Sequence, residues 1–321
     1  MSGWKSLLRG DATEWLLEES DPSVRYFALR WLFDQPEKSA EVAQARQAIA
    51  RSAPVQKIIE SQRPAGYWGS DRRPHEGTRG QMMLLLWLGA PVNEQIRKAI
   101  DYRLGGCLLP GGAYGVKWKE RTFLAPCHGA EMLTLMLRYG YAGDPRTRKL
   151  LGWLLSIQEP DGVVPCVSKR NHFPCMWATA DMLRAFRDLP PRWETARVKQ
   201  ARERAIELFL DSNLCRYHKK KVDPRWLRFG FPLAFTSDVL DVLESVAPYV
   251  SPTDERIQEP LEMILGKQDR QGRWACEKHP QGASGGKWIE RYVALEEIGA
   301  PSKWVTLQAL RTLKLLHAAA P

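Results

Sequence analysis

Apolar residues recur at helical spacing in six short stretches along the chain. Each stretch is apolar over most of its surface, which is typical of a helix that is buried on several sides. The stretches follow one another at intervals of roughly 50 to 70 residues, as expected for an internal repeat. Their aligned first positions are Phe27, Gln81, Glu131, Asp181, Asp238 and Gln308.

More polar stretches with amphipathic helical patterns lie between the apolar ones, at 39–61, 92–103, 145–157, 194–212 and 254–267. This alternation predicts an all-α fold in two layers, with six inner and about six outer helices. The repeats could stack as an open solenoid or close into an α/α toroid. Because six hairpins close the ring in known toroids, we expect a single-domain α/α toroid over 1–321.

The first helical pairs have signals of their own. Asp21 is a helix cap and Pro22 follows it at the first helical position. Residues 12–60 resemble HEAT-type helical pairs, whereas 61–317 carry a different repeat. If the HEAT-like pattern governed the whole chain, a basic solenoid that binds nucleic acid would be the alternative.

The second repeat is centred on glycine turns. Gln62 to Trp68 and Gln268 to Trp274 share the spacing Gln-x3-Gly-x-Trp, and Gln158 with Gly162 keeps its first part. A glutamine at a helix end can bond free backbone groups, glycine permits the turn, and tryptophan packs on the next helix.

These turns resemble the QW repeat of squalene–hopene cyclases and of the wider terpenoid-cyclase and prenyltransferase β-subunit superfamily. The resemblance implies an enzyme that acts on an isoprenoid or other lipophilic substrate in a central cavity. The Asp-x-Asp-Asp and Asp-Asp-x-x-Asp motifs of terpenoid enzymes are absent from the sequence. A non-catalytic cavity protein that binds a lipid, peptide or phosphate ligand is therefore an alternative.

Charge and composition indicate which classes of binding partner to expect. The formal charge of +10 favours an anionic partner, and the 13 tryptophans indicate aromatic repeat positions, an aromatic-lined cavity, or both. The longest apolar run, near Met82 to Leu88, is too short to span a bilayer. We expect a cytoplasmic protein, with peripheral membrane contact left open and nucleic acid not expected as a partner.

Thiols and imidazoles form the first set of candidate site residues. Cysteines in a reducing compartment are free thiols or metal ligands more often than disulfides. Zinc needs three or four such ligands, and here they would come from different repeats. The candidate zinc ligands are Cys127, Cys166, Cys175, His128 and His218. The cofactor is otherwise unknown, and the cysteines could instead be plain thiols.

Two short segments resemble zinc sites of related toroids. Cys175, followed by Trp177, is similar to the cysteine segment of the prenyltransferase β-subunits, although Phe173 stands where they have Asp. Lys169 and Arg170 lie where that family has basic residues that bind a diphosphate, so the resemblance implies the same role for them. Cys127 and His128 begin a Cys-His-Gly sequence that is similar to the zinc motif of lanthionine cyclases.

Three acids hold equivalent positions on the inner helices: Glu131, Asp181 and Asp238. Carboxylates in apolar surroundings acquire raised pKa values and can donate protons, so these are the candidate catalytic residues. Trp177 and Phe235 could offer ring faces to a carbocation. Glycoside hydrolysis by two carboxylates, or a structural bond from each acid to an arginine or backbone group, are the alternatives.

A basic loop over 215–232 precedes the fifth inner helix. It combines six cationic residues with aromatic ones, and Arg228 is its candidate for binding an anionic substrate end. The same mixture fits a solvated surface or a single-stranded nucleic acid.

Overall fold

The computed structural model describes residues 3–69, 77–118, 120–166, 173–217, 221–222, 224–233, 237–280 and 287–318. Over these ranges the chain is mostly helical, with a few two-stranded antiparallel ribbons, and the all-α prediction is confirmed. The helices are α1 (Thr13–Leu16), α2 (Pro22–Trp31), α3 (Ala40–Arg51), α4 (Ala53–Glu60), α5 (Thr78–Trp87), α6 (Glu94–Cys107), α7 (Pro126–Arg138), α8 (Pro145–Ile157), α9 (Met176–Arg187), α10 (Ala196–Asp211), α11 (Val239–Val246), α12 (Glu255–Gly266), α13 (Lys287–Glu290) and α14 (Lys303–Ala318). The strands are β1 (Gly115–Trp118), β2 (Arg121–Leu124), β3 (Pro165–Cys166), β4 (Phe173–Pro174), β5 (Arg216–Tyr217), β6 (Lys221–Val222), β7 (Trp274–Ala275) and β8 (Pro301–Ser302).

The chain packs as two compact units. Unit 1 comprises Met1–Glu60, Trp87–Pro91 and Leu210–Pro321, and unit 2 comprises Ser61–Leu86 and Val92–Phe209. The single domain over 1–321 stays a prediction. In the part of the chain that the structure describes, no helix is both long and apolar enough to cross a membrane.

The predicted outer helix over 39–61 is two helices, α3 and α4. Pro54 has no N–H and its ring clashes with the carbonyl four residues earlier, so a continuous helix is interrupted at this point. Ser52 takes an extended conformation between the two helices. The Gln56 side chain then donates a hydrogen bond to the carbonyl of Ala50 at 2.6 Å, which satisfies one group freed by the break.

The layers that the hydrophobic pattern predicts are visible in unit 2. Nearly all side chains of α5 and α7 are buried, as are those of α9 beyond its first turn. Helix α8 buries one face against α7 and leaves its other positions more exposed, as an outer helix should. Helices α7 and α9 pack side by side, which brings their N-terminal ends together.

Each turn glutamine in unit 2 joins its own turn to the next outer helix. Nε2 of Gln158 donates to the carbonyl of Gly162 at 3.0 Å and to a carbonyl of α10 at 2.9 Å. Gln62 makes the same pair of bonds, to Gly66 at 3.2 Å and to a carbonyl of α6 at 2.8 Å. Both glutamines therefore satisfy backbone groups in two successive repeats.

A threonine on the inner helix holds the residue that follows each turn. The hydroxyl of Thr179 accepts a hydrogen bond from the N–H of Val164 at 2.9 Å, and that of Thr78 accepts one from Trp68 at 3.1 Å. In unit 1 the hydroxyl of Thr306 accepts one from the N–H of Trp274 at 2.9 Å. The repeat thus contains a second backbone link besides the glutamine.

The last glutamine turn bonds the beginning of the chain. In unit 1, Nε2 of Gln268 donates to the carbonyl of Leu7 at 3.2 Å, and its Oε1 accepts from the N–H of Arg9 at 3.0 Å. Helix α14 packs against both α11 and α2. The beginning of the described chain and its last helix are thus packed together within unit 1.

Gly162 offers a test of the turn. Its φ is +92°, and an added Cβ would lie 2.2 Å from the carbonyl oxygen of Arg204 on α10. Replacing Gly162 with Ala should therefore lower the free energy of unfolding by about 2 kcal/mol or more, as measured by urea denaturation.

Gly152, inside α8, is the matched control. A Cβ at that position meets nothing within 4 Å, and the substitution Gly152→Ala should raise the free energy of unfolding by about 1 kcal/mol. Equal effects of the two substitutions would contradict the role given to the turn.

Candidate functional site

A cavity of about 200 Å³ lies in unit 2, between the β1–β2 hairpin and the N-terminal ends of α7 and α9. Most of its wall is apolar, and Val116 and Phe123 of the hairpin form part of that wall. Three groups capable of chemistry also line it: Cys127, His128 and Cys175. Two of the cysteines that were predicted as zinc ligands, Cys127 and Cys175, thus line one cavity.

The local sequence explains why both thiols reach this cavity. Pro126 occupies the first turn of α7, so Cys127 lies at the N-terminal end of that helix. Cys175 caps α9, and its Sγ accepts a hydrogen bond from the N–H of Ala178 at 3.4 Å. The side-by-side packing of α7 and α9 then places both helix starts at the cavity wall.

The five predicted zinc ligands are not assembled into a metal site by the residues described. Cys127, His128 and Cys175 share the cavity wall, whereas the side chain of Cys166 and all of His218 lie outside the described part of the chain. Within that part, no three His, Cys, Asp or Glu side chains are grouped as a metal ion requires. Zinc binding therefore stays a prediction.

Glu131 forms a buried ion pair with Arg79 of α5. The side chains are 5% and 2% exposed, so both charges are removed from water. Burial lowers the pKa of Arg79 to about 10, and the nearby Cys127 and Asp181 act in the opposite direction. Arg79 is not among the residues predicted from the sequence, although a lone cation in an apolar inner helix indicates a buried partner.

A second buried arginine lies beside this pair. Nε of Arg103 donates a hydrogen bond to the Tyr114 hydroxyl at 3.3 Å, and both side chains are buried. Burial raises the pKa of Tyr114 to about 12, so its hydroxyl keeps its proton at neutral pH. The positive charge of Arg103 contributes to lowering the pKa of Arg79.

Asp181 forms an ion pair within α9. Its Oδ1 lies 3.0 Å from Nη1 of Arg184, and both side chains are nearly buried. A carboxylate beside a guanidinium favours its charged form, which makes it a weaker proton donor. The pairings of Glu131 and Asp181 therefore agree with the structural alternative for these two acids.

Asp238 lies in unit 1, where it caps α11 and accepts a hydrogen bond from the N–H of Asp241 at 3.0 Å. Its Oδ2 is 3.1 Å from Nζ of Lys278, and both side chains are buried. Burial raises the pKa of Asp238, against the opposing effect of Lys278, and the neighbouring Asp241 raises it further. Of the three predicted acids, Asp238 therefore has surroundings that favour a bound proton.

The predicted substrate-binding residues are only partly described. Trp177 is half-buried in the first turn of α9, and Arg228 is exposed in unit 1. The others, Lys169, Arg170 and Phe235, lie outside the described residues. Their roles, like that of Arg228, stay predictions.

No family model and no curated protein matches this sequence. Among solved structures, a protein from Actinoplanes has a TM-score of 0.48 and 16% identity, covering 92% of this chain and 90% of that chain. A variant of the type II terpene cyclase MstE from Scytonema, in complex with merosterolic acid A, has a TM-score of 0.46 and 15% identity over 93% and 88%. Another variant of this enzyme, in complex with geranylgeranyl dihydroxybenzoate, has a TM-score of 0.44 and 16% identity, covering 94% of this chain and 87% of that chain.

The buried pair between Arg79 and Glu131 makes a stability prediction. Replacing Glu131 with Gln removes the carboxylate that faces a guanidinium only 2% exposed. The free energy of unfolding should fall by about 3 kcal/mol, because a buried charge loses its partner. Urea denaturation at pH 7 measures this difference.

The control is Glu94, which pairs with Lys98 at 2.8 Å on the exposed face of α6. Replacing Glu94 with Gln should leave the unfolding transition unchanged, because exposed pairs contribute little. A Glu131→Gln protein as stable as wild type would contradict the role of the buried pair.

Asp238 makes a pH-dependent prediction. Because its pKa is raised above 3.8, the folded state keeps the proton to higher pH than the unfolded state does. The stability from this group is full below pH 3.8 and is lost as pH rises through the folded pKa. The free energy of unfolding of wild type, relative to Asp238→Asn, should therefore fall as pH rises above 3.8.

Asp254, which caps α12, is the control for this experiment. Its pKa is lowered, chiefly by hydrogen bonding with Arg256, so its stabilisation is present above pH 3.8 and is lost as pH falls through the folded pKa. Urea denaturation at a series of pH values measures the stability of wild type relative to each variant. This difference should rise with pH for Asp254→Asn and fall with pH for Asp238→Asn. The same sign for both would contradict the assignment.

Proposed function

We propose that the protein is an enzyme that converts an isoprenoid or another lipophilic molecule, whose apolar part lies in the cavity of unit 2. The observation that carries this proposal is the composition of the cavity wall, which is mainly apolar but includes Cys127, His128 and Cys175. Ligand sites of small molecules are commonly built this way, with a few reactive groups in apolar surroundings. The isoprenoid class is suggested by the resemblance in the glycine turns.

The size of the cavity limits what it holds. An apolar protein cavity of about 150 Å³ accepts benzene, so a cavity of about 200 Å³ suits a somewhat larger apolar group. A short prenyl group is of this order, whereas a long isoprenoid chain would extend out of the cavity. We therefore assign the cavity to the reacting end of the substrate.

Cys127 is the proposed catalytic residue in this cavity. A thiolate is the reactive form of cysteine, and a helix N-terminus and a nearby guanidinium both favour it. Cys127 lies at the N-terminal end of α7 and interacts electrostatically with Arg79. His128 lines the same wall and is the proposed proton carrier.

Asp238, the third predicted acid, lies in unit 1 and does not line this cavity, so its part in proton transfer stays the prediction made from the sequence. Glu131 and Asp181 are proposed as positioning residues, since each is held by an arginine. A diphosphate end of the substrate, with Lys169, Arg170 and Arg228 as its predicted binding residues, stays a prediction from the sequence. A non-catalytic binding protein is the alternative that the experiments below separate.

Binding of geraniol, a short isoprenoid alcohol, tests the cavity. Wild type should bind it one to one, and Ala178→Phe should weaken binding by about ten-fold or more, because Ala178 lines the cavity. Titration calorimetry measures the affinity, and thermal unfolding verifies the fold. Val116→Phe, on the hairpin wall, is the second variant in case Ala178→Phe fails to fold.

The control for binding is Phe33→Ala, which removes an exposed ring of unit 1 and should leave the affinity unchanged. Absence of geraniol binding by wild type, or equal binding by a folded cavity-filled variant, would sink the proposed site.

Conversion is tested with geranyl diphosphate, by mass spectrometry of the products. Wild type should form a product; Cys127→Ser and Asp238→Asn are tested separately, and the variant that loses product while it still binds geraniol identifies the reacting group. If every protein returns the probe unchanged although geraniol binds, the chain is a binding protein and the enzymatic proposal is wrong.

A further inference from the structure

The β1–β2 hairpin has one face toward the cavity. Its strands pair antiparallel, with Val116 opposite Phe123, and both residues line the cavity. Alternate residues of a strand lie on the same face, so Arg121 lies on the face of Phe123. Lys117, opposite Thr122, lies on the other face.

The hairpin leads from the thiols out to the surface. Pro126 is buried and Cys127 half-buried, whereas Phe123 is 36% exposed and marks the rim of the cavity. Arg121 is exposed and lies two residues further along the strand, a distance of about 7 Å. From the cavity outward, this face therefore presents the Cys127 thiol, then the apolar wall, then the exposed Phe123 ring, and last the Arg121 guanidinium.

Arg121 is available to bind an anion. Its side chain makes no hydrogen bond or ion pair with the residues that the structure describes, and its nearest neighbour in sequence with opposite charge is Glu120 in the turn. A guanidinium presents a planar fork of donors that fits a carboxylate or phosphate. The overall charge of +10 also favours the approach of an anion.

We propose that the ligand of the cavity is amphipathic, with its apolar part among the cavity walls and an anionic end, carboxylate or phosphate, bound by Arg121. This inference rests on the proposed function for the existence of a ligand. It adds Arg121 as a specificity residue, which was not among the residues predicted from the sequence to bind a diphosphate. Arg121 then selects the end of the molecule that remains outside.

The test compares probes that differ only in their end group: decanol, decanoate and decyl phosphate. Titration calorimetry on the full chain should give tighter binding for the two anions than for decanol. Arg121→Gln should weaken binding of the anions by about five-fold, as expected for an exposed ion pair, and leave decanol unchanged. The advantage of the anions should shrink as salt is raised.

Lys117→Gln is the matched control, because it removes the same charge from the same hairpin on the face away from the cavity. Its affinity for decanoate should match that of wild type. If both variants lost the same affinity for decanoate, the effect would come from the overall charge of the surface and not from Arg121, and the inference would be overturned.

The outcomes separate this inference from the function on which it rests. If decanol binds but the anions bind no tighter, Arg121 has no part in selection while the cavity proposal stands. If none of the three probes binds, the cavity proposal itself fails. Either anion binding more tightly in an Arg121-dependent way supports the inference and identifies the preferred end group.

Discussion

The fold depends on the need to satisfy backbone polar groups where each repeat turns. A glutamine at the end of an outer helix donates one hydrogen bond within its own turn and another to the next outer helix, as Gln158 does with Gly162 and α10. One side chain thereby fixes both the turn and the position of the next repeat. The glycine is required because a side chain there would collide with the backbone of that helix.

Fixing successive repeats in this way also fixes where the inner helices begin, and the candidate chemistry lies at those beginnings. In unit 2 the starts of α7 and α9 carry Cys127 and Cys175 to one cavity. The buried Arg79 of α5 lies close enough to interact with Cys127. The same repeat that stabilises the backbone therefore brings a thiol, an imidazole and an apolar wall together.

The sequence was sufficient for most of the helices and for part of the site. Helical periodicity predicted α8 over its full length, and Cys127 and Cys175, both singled out from the sequence as candidate site residues, line one cavity. Ion pairs between helices could not be predicted from the sequence. The partner of Glu131 lies on another inner helix, and only the tertiary packing brings the two side chains together. Proline chemistry at position 54 could have predicted the break between α3 and α4. The hairpin face with Arg121 could be recognised only once the strand register was known.

The bond between Gln268 and Leu7 joins residues that are 261 positions apart. During synthesis the first residues leave the ribosome long before this partner exists, so the N-terminal helices must wait without their final neighbour. Contacts of such long sequence separation form slowly, because the loop that they close costs much entropy. Completion of unit 1 is thus a late step in folding, and the N-terminal helices are exposed to misassociation until the residues around Gln268 have been synthesised.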